Sequence, residues 1–308
     1  MLKPVYLPGD RAFIRFTEIP GDDPPLLWLH GMMCSSTGEL IQAAVQPELR
    51  GQRHLLIDFL GYGYSDRPLG FGYTLEDHAR TIVALIDALA LTECGVIGHS
   101  MGGGVGILVA SARPHIVSLL IMAEGRLGLD PDGPDPIAAQ SERDFVERGF
   151  ADLLDGQTRD AEALPDGLRA AHLGITRLVA PYALHRAEVA RGHDTDPPLR
   201  SLVRALQMPR WYLDGAESEP SGPRDDLEAA GVHSRSSRTP VTSWHSRTHA
   251  GWPRRSPRSW PNRGRAEGAP TKSRLSGLGD ARDTAGRSAD ATRRFGHGLK
   301  PAQTPSGR

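Results

Sequence analysis

Residues 96–104 read VIGHSMGGG. One hydroxyl, Ser100, stands among glycines, directly after the apolar run CGVIG and directly before MGGGVGILVASARP, a helical stretch that Pro114 stops. Gly98-His99-Ser100-Met101-Gly102 fits G-x-S-x-G between a strand and a helix, the setting in which that motif carries a nucleophile. A serine hydroxyl is weakly nucleophilic, so it has to be exposed, oriented and served by a base. A tight turn forces an uncommon backbone angle on Ser100, and glycines on either side let neighbouring backbone pass without a clashing Cβ. The helix that follows aims its free N–H groups toward a developing oxyanion. The competing reading is a glycine-rich turn that serves packing alone; the strand and the helix around it favour chemistry.

Working outward, apolar runs bounded by turn residues alternate with helical periodicity. PLLWLHG (25–31) reads as a buried strand, followed by a helix over 36–46. RHLLIDFLG (53–61) is a second strand, closed by the glycine-rich GYGYSDRP. TLEDHARTIVALIDALAL (74–91) is an amphipathic helix with Thr74 as cap, Asp77 at the reciprocal capping position, and Ile82, Leu85, Ile86 and Leu89 on its apolar face. CGVIGHS and IVSLLIMAE are the third and fourth strands. Such alternation gives an α/β fold, a parallel-rich sheet with helices on both faces. Residues 126–205 offer no strand; RDFVERGFADLLDG places Val146, Phe150, Leu153 and Leu154 on one helical face, which predicts a helical cap insertion. PRWYLDG (209–215) returns to strand patterning. The expected organisation is a core of 1–125 and 206–233, a cap of 126–205, and a tail of 234–308.

The tail is set apart by charge. The 308 residues sum to a net charge of −1, yet residues 1–233 hold 20 Lys/Arg against 33 Asp/Glu, and residues 234–308 hold 16 against 4. Only Val241, Leu275, Leu278, Phe295 and Leu299 represent Val, Ile, Leu and Phe in this tail. So few apolar side chains cannot form a core, and the composition predicts disorder. Cys34 and Cys94 are the only cysteines; they build no disulfide framework and suit a reducing compartment. The first residues lack the apolar core of a secretory signal, and no run approaches the roughly 18 apolar residues of a membrane span, so a cytoplasmic location is expected.

Three motifs in order resemble the α/β-hydrolase family over about residues 5–233: LHGMMCSS, DFLGYGYSDRP and GHSMGG. The resemblance implies that Ser100 is the nucleophile and that the backbone N–H groups of Met32 and Met101 form the oxyanion hole. It casts His30 and Asp58 as loop braces. Haloalkane dehalogenases and epoxide hydrolases of this fold carry an aspartate at the elbow, so Ser100 favours acyl transfer on an ester-like bond, a carboxylic ester hydrolase type of reaction. No cofactor or metal is implied: His172, His185 and His193 lack acidic or cysteine partners at ligand spacing, and no phosphate-cradling Gly-Lys-Ser/Thr sequence occurs. The expected partner is a small-molecule substrate, with no membrane and no dedicated nucleic-acid module.

A triad also needs an acid and a base. In this family the acid usually follows the seventh strand, where LDGAESEP places Ser218 flanked by Glu217 and Glu219. Other members place it after the sixth, where IMAEG offers Glu124 at a strand's carboxyl end. Glu124 is the favoured candidate, with Glu217 or Glu219 as alternatives.

The base is missing. Family members continue with an eighth strand, Gly-His and a helix, whereas this chain reads SRSSRTPVTSW. In a register starting at each codon's third base, permitted codons let Ser234 through Trp252 be re-read as LAVVPDTGHFMALENPRGL, a strand, a Gly-His and a helix start at family spacing. A shifted frame near residue 233 is therefore expected, with marginal folding and impaired turnover. The alternatives are a non-catalytic binding protein of this fold, or a basic appendage that attracts nucleic acid phosphates. His245 or His249, on a floppy tail, would not be held at hydrogen-bond distance from Ser100.

Overall fold

The computed structural model describes residues 1–125, 127–128, 135–163, 167–215 and 225–236. Glu217 and Glu219 lie outside the described residues, as does the tail beyond Ser236.

The strands are β1 (Leu2–Leu7), β2 (Ala12–Ile19), β3 (Asp22–Leu29), β4 (Gln52–Asp58), β5 (Cys94–His99), β6 (Val117–Ala123), β7 (Arg210–Asp214) and β8 (Val232–Ser236). The helices among the described residues are α1 (Ser36–Glu39), α2 (Ile41–Ala44), α3 (Leu75–Ala88), α4 (Met101–Ala112), α5 (Glu142–Asp144), α6 (Phe150–Ala163), α7 (Leu168–Thr176), α8 (Pro181–Arg191), α9 (Leu199–Ala205) and α10 (Asp225–Ala229).

One eight-stranded sheet has the order β1-β2-β4-β3-β5-β6-β7-β8. The β1–β2 and β2–β4 pairs are antiparallel and the rest parallel. After β3 the chain steps outward to β4, then crosses back to β5 on the other side of β3. Such a reversal opens a crevice at the carboxyl ends of the strands, where α/β sheets place their ligands.

Alternation along the strands fills two cores. Leu27, Leu29, Leu55, Ile57, Val96, Leu120 and Met122 face one side, against Ile82, Leu85 and Ile86 of α3 and Val105, Ile107 and Val109 of α4. Trp28, Leu56, Ile97, Leu119, Ile121 and Ala123 face the other, against Leu40, Ala43 and Ala44. A strand's period of two makes this division unavoidable. The predicted capping box on α3 forms: Asp77 N–H donates to Thr74 Oγ1 at 3.1 Å, and Thr74 N–H to Asp77 Oδ2 at 3.4 Å.

Three local expectations are corrected. The helix expected over 36–46 is two short helices broken at Leu40. Val146 is not on the inner face: residues 145–149 form a π turn, Phe145 is 1% exposed, and Val146 is 41% exposed. The extra residue in a π turn rotates the apolar face past the position that a 3.6-residue period assigns. Phe150 and Leu153 do pack against the core.

The third correction concerns residues 234–236, assigned above to a disordered tail that follows a lost eighth strand. They complete β8, which pairs in parallel with β7 from Arg210↔Val232 to Asp214↔Ser236. Ladder bonds come from backbone, so an edge strand forms on little apolar content when one side chain is well buried. Val232 supplies it at 2% exposure, and the His233 ring lies 4.6 Å from Trp211.

Candidate active site

The carboxyl ends of β3, β5 and β6 bring the predicted groups into one neighbourhood. Ser100 links β5 to α4 with φ +50° and ψ −114°, a left-handed conformation that costs a non-glycine residue free energy and persists only where its surroundings enforce it. They do so here. Ser100 N–H donates to the Ala123 carbonyl at 2.9 Å, and the Ser100 carbonyl accepts from Gly103 N–H at 3.0 Å.

The two motif glycines have a steric reason. A Cβ on Gly98 would lie 2.1 Å from the Gly102 carbonyl oxygen, and one on Gly102 would lie 2.2 Å from the Leu29 carbonyl oxygen. Strand β5, helix α4 and the end of β3 therefore touch backbone to backbone, which fixes where Ser100 projects.

Ser100 lines a cavity of about 220 Å³ with Met32 and Met101 beside it. Met101 is the first residue of α4, so its N–H belongs to the helix-start amides that have no acceptor within the helix. Leu75 and Leu199 make an apolar wall, whereas Arg191, His193, Asp194 and Thr195 bring polar groups from the α8–α9 turn. Of the described histidines, only His193 lines this cavity.

Glu124 directly follows β6, with φ +49°. Its N–H donates to the Leu213 carbonyl at 2.7 Å and its Oε1 accepts from Gly215 N–H at 3.0 Å. Its Oε2 lies 3.5 Å from His99 Nε2. The other ring nitrogen, Nδ1, forms a short ion pair with Glu39 Oε1. Glu39 is 5% exposed, and its Oε2 accepts Gly31 N–H at 2.9 Å. Burial works against both charges. The Glu39 and Glu124 carboxylates nonetheless outweigh it and push His99 up to about 10. For Glu39, burial is outweighed by His99 and by the Gly31 N–H, which hold the carboxyl down to about 2.

His30 and Asp58 contact mainly backbone. His30 Nε2 accepts Phe59 N–H at 3.1 Å, so Nδ1 carries the proton and donates to the Gly31 carbonyl at 2.7 Å. Asp58 receives Ser36 N–H and Tyr64 N–H, each at 2.9 Å, and burial raises its pKa.

Sequence reasoning thus singled out Ser100, Glu124, Met32 and Met101, but missed Glu39 and His99. One signal was available: Glu39 is a carboxylate in TGELI, eight residues beyond Gly31, between the His-Gly loop and an apolar helix. Among the described residues, no group of three His, Cys, Asp or Glu could hold a metal ion, and no helix is long and apolar enough to cross a membrane.

This arrangement defines a class, and comparison with known proteins agrees. Residues 24–173 match the model of the alpha/beta hydrolase fold. Haloalkane dehalogenase 2 of Mycobacterium bovis is 36% identical over 118 residues, 38% of this chain; the chain spans only 40% of that relative's length. A non-heme haloperoxidase candidate of Mycobacterium phage D29 is 30% identical over 199 residues, covering 60% of this chain and 68% of the relative. Among solved structures, a hydrolase from Pseudomonas aeruginosa PA01 superposes with a TM-score of 0.63 at 22% identity, covering 80% of this chain and 93% of that one. At that identity the superposition speaks for the fold alone. The chain belongs to the α/β-hydrolase fold family, and its relatives include several hydrolases.

Proposed function

We propose that the protein is a serine hydrolase acting on an ester-like bond of a small molecule, with Ser100 as nucleophile. The observation that carries this reading is Ser100 itself, held at positive φ on a strand-to-helix turn and opening into a cavity beside Met32 and Met101. Ser100 Oγ attacks the carbonyl carbon, the carbonyl oxygen becomes an oxyanion, and the N–H groups of Met32 and Met101 hold it. The oxyanion collapses, the ester C–O bond breaks, and the alcohol leaves carrying a proton in place of the one that Ser100 gave up; water then attacks the acyl-enzyme, releasing the acid and restoring the Ser100 hydroxyl. A serine where dehalogenases of this fold use an aspartate favours acyl transfer over the reaction named for haloalkane dehalogenase 2.

Glu124 is the proposed acid. Its contacts to Gly215 N–H and His99 leave acceptor capacity, because each carboxylate oxygen has two lone-pair sites. The base is proposed to have been lost with a shift of reading frame near residue 233, leaving about 10³–10⁴-fold acceleration over water. Genomic sequencing across that codon tests the shift, and repair to the GHF-containing register should raise turnover of p-nitrophenyl acetate by about 10⁶-fold; the absence of any one- or two-base route to that register contradicts the shift.

A second reading follows from His193, an imidazole in the Ser100 cavity. If His193 takes the Ser100 proton, His193→Gln slows acylation by about 10²-fold. If the base is lost, the rate stays within about twofold of the parent chain.

A further inference from the structure

His99, the variable residue inside the G-x-S-x-G motif, is the hinge of a partly buried chain of charges whose His99 and Glu39 the serine reading does not use. Its Nδ1 faces Glu39 Oε1 and its Nε2 faces Glu124 Oε2. With both carboxyl groups ionised, each can only accept, both ring nitrogens carry protons, and the ring is an imidazolium. Each carboxylate has a further anchor: Glu39 Oε2 receives Gly31 N–H at 2.9 Å, and Glu124 Oε1 receives Gly215 N–H at 3.0 Å. The sequence of groups Gly31, Glu39, His99, Glu124 and Gly215 ties together the segments that follow β3, β5, β6 and β7.

The β3 loop packs directly on this pair. A Cβ on Gly31 would stand 3.0 Å from His99 Nδ1, 3.4 Å from Glu39 Oε1 and 3.4 Å from Ser100 Cβ. Only glycine fits between the ion pair and the serine without forcing one of them to move.

We propose that His99 and Glu39 are positioning residues for the Ser100 reaction: a fixed cation and its carboxylate partner that hold the His30–Gly31 peptide, which leads into Met32, on one side of Ser100 and Glu124 on the other. The proposal rests on Ser100 as nucleophile and Met32 as oxyanion donor. It also assigns His99 away from proton transfer, since neither protonated nitrogen has a lone pair to offer. An oxyanion donor has to be placed to within about 0.5 Å to be effective, and Met32 follows the residue that Glu39 grips.

Several groups among the described residues face His99. Glu39 comes from α1, Glu124 from the end of β6 and His30 from the end of β3; Cys34 hydrogen-bonds to Glu39, and His172 faces that carboxylate. His30 is the other imidazole there; its Nε2 accepts Phe59 N–H, and burial lowers its pKa. Removal of the cation leaves the buried Glu39 and the half-buried Glu124 as anions on either side of the end of β5.

The test uses the full chain. Isotope-labelled histidine and NMR read the His99 ring directly, and the expected result is a doubly protonated ring from about pH 7.5 to about pH 9, where a free imidazole is mostly neutral. Fluorophosphonate labelling at saturating probe reads Ser100. His99→Gln and Glu39→Gln, the latter nearly isosteric, are expected to slow labelling by about tenfold, less than the 10²–10³ of a deleted oxyanion donor. His99→Lys, which restores a cation, recovers part of that loss. Amide exchange at Gly31 and Gly215 is expected to accelerate together in His99→Gln. A ring that is neutral at pH 7, or labelling and exchange unchanged in the two Gln variants, overturns the proposal. A parent chain that does not label at Ser100 overturns the hydrolase reading instead, while the ring and exchange measurements still decide whether the charge chain exists.

Discussion

Ser100 and Glu124 share an uncommon positive φ, +50° and +49°, at the carboxyl ends of adjacent parallel strands. They are joined through backbone, because Ser100 N–H bonds to the carbonyl of Ala123, the residue just before Glu124. Two strained residues side by side mark a place where the fold gives up stability to aim side chains.

That relationship predicts opposite effects of one substitution on stability and chemistry. Ser100→Gly removes the Cβ that disfavours positive φ and should raise unfolding free energy by about 1 kcal/mol. The same variant should show no covalent adduct with a fluorophosphonate. Urea melts and intact-mass spectrometry check the two halves on one sample.

The motif glycines should tolerate no side chain. Gly98→Ala and Gly102→Ala each place a methyl within 2.2 Å of a backbone carbonyl oxygen. Overpacking against backbone that cannot relax predicts a loss of about 3 kcal/mol or an insoluble product. Gly9→Ala, with nothing within 4 Å of the added methyl, serves as the control and should change stability by less than about 0.5 kcal/mol.

Stability should depend on pH through the Glu39–His99 pair, in a direction fixed by linkage. His99 rises from 6.5 to about 10 on folding, so its contribution is fully present below about 6.5 and is lost as pH climbs through about 10. Glu39 falls from 4.5 to about 2, so its contribution is present above about 4.5 and is lost as pH drops through about 2. The urea midpoint of the parent chain should therefore decline on the alkaline side, and His99→Gln should flatten that decline. A parent profile that is level from neutral pH to about pH 10 contradicts the assignment.

Thr74→Ala removes one half of the α3 capping box and should cost about 1 kcal/mol. Asp77→Ala should cost no more than that. The double variant should lose less than the sum, because both substitutions break one reciprocal contact.

How far the sequence could be read depended on the range of the forces involved. The central strands were legible because burial on both faces leaves near-continuous apolar runs such as LLIMA and LLID. Capping at Thr74 was legible because its partner is three residues away. The β1–β2 hairpin escaped notice because prolines and charges interrupt LKPVYLPGDRAFIRF, and only β2 alternates clearly, with Ala12, Ile14 and Phe16 inside. Strand β8 escaped because VHSRS has one apolar residue, and its pairing relies on the open edge of β7. Within the site, Ser100, Met32 and Met101 came from local motifs. The Glu39–His99–Glu124 chain joins residues 60 and 25 positions apart in sequence, and no local pattern reports a contact of that separation.

The most direct measurement is peptide mapping by mass spectrometry after exposure of the purified chain to a fluorophosphonate, alongside Ser100→Ala. The account predicts one slow, stoichiometric adduct on the peptide that contains Ser100, and none in the variant. No adduct in the parent chain, or equal modification of the parent and Ser100→Ala, would contradict it.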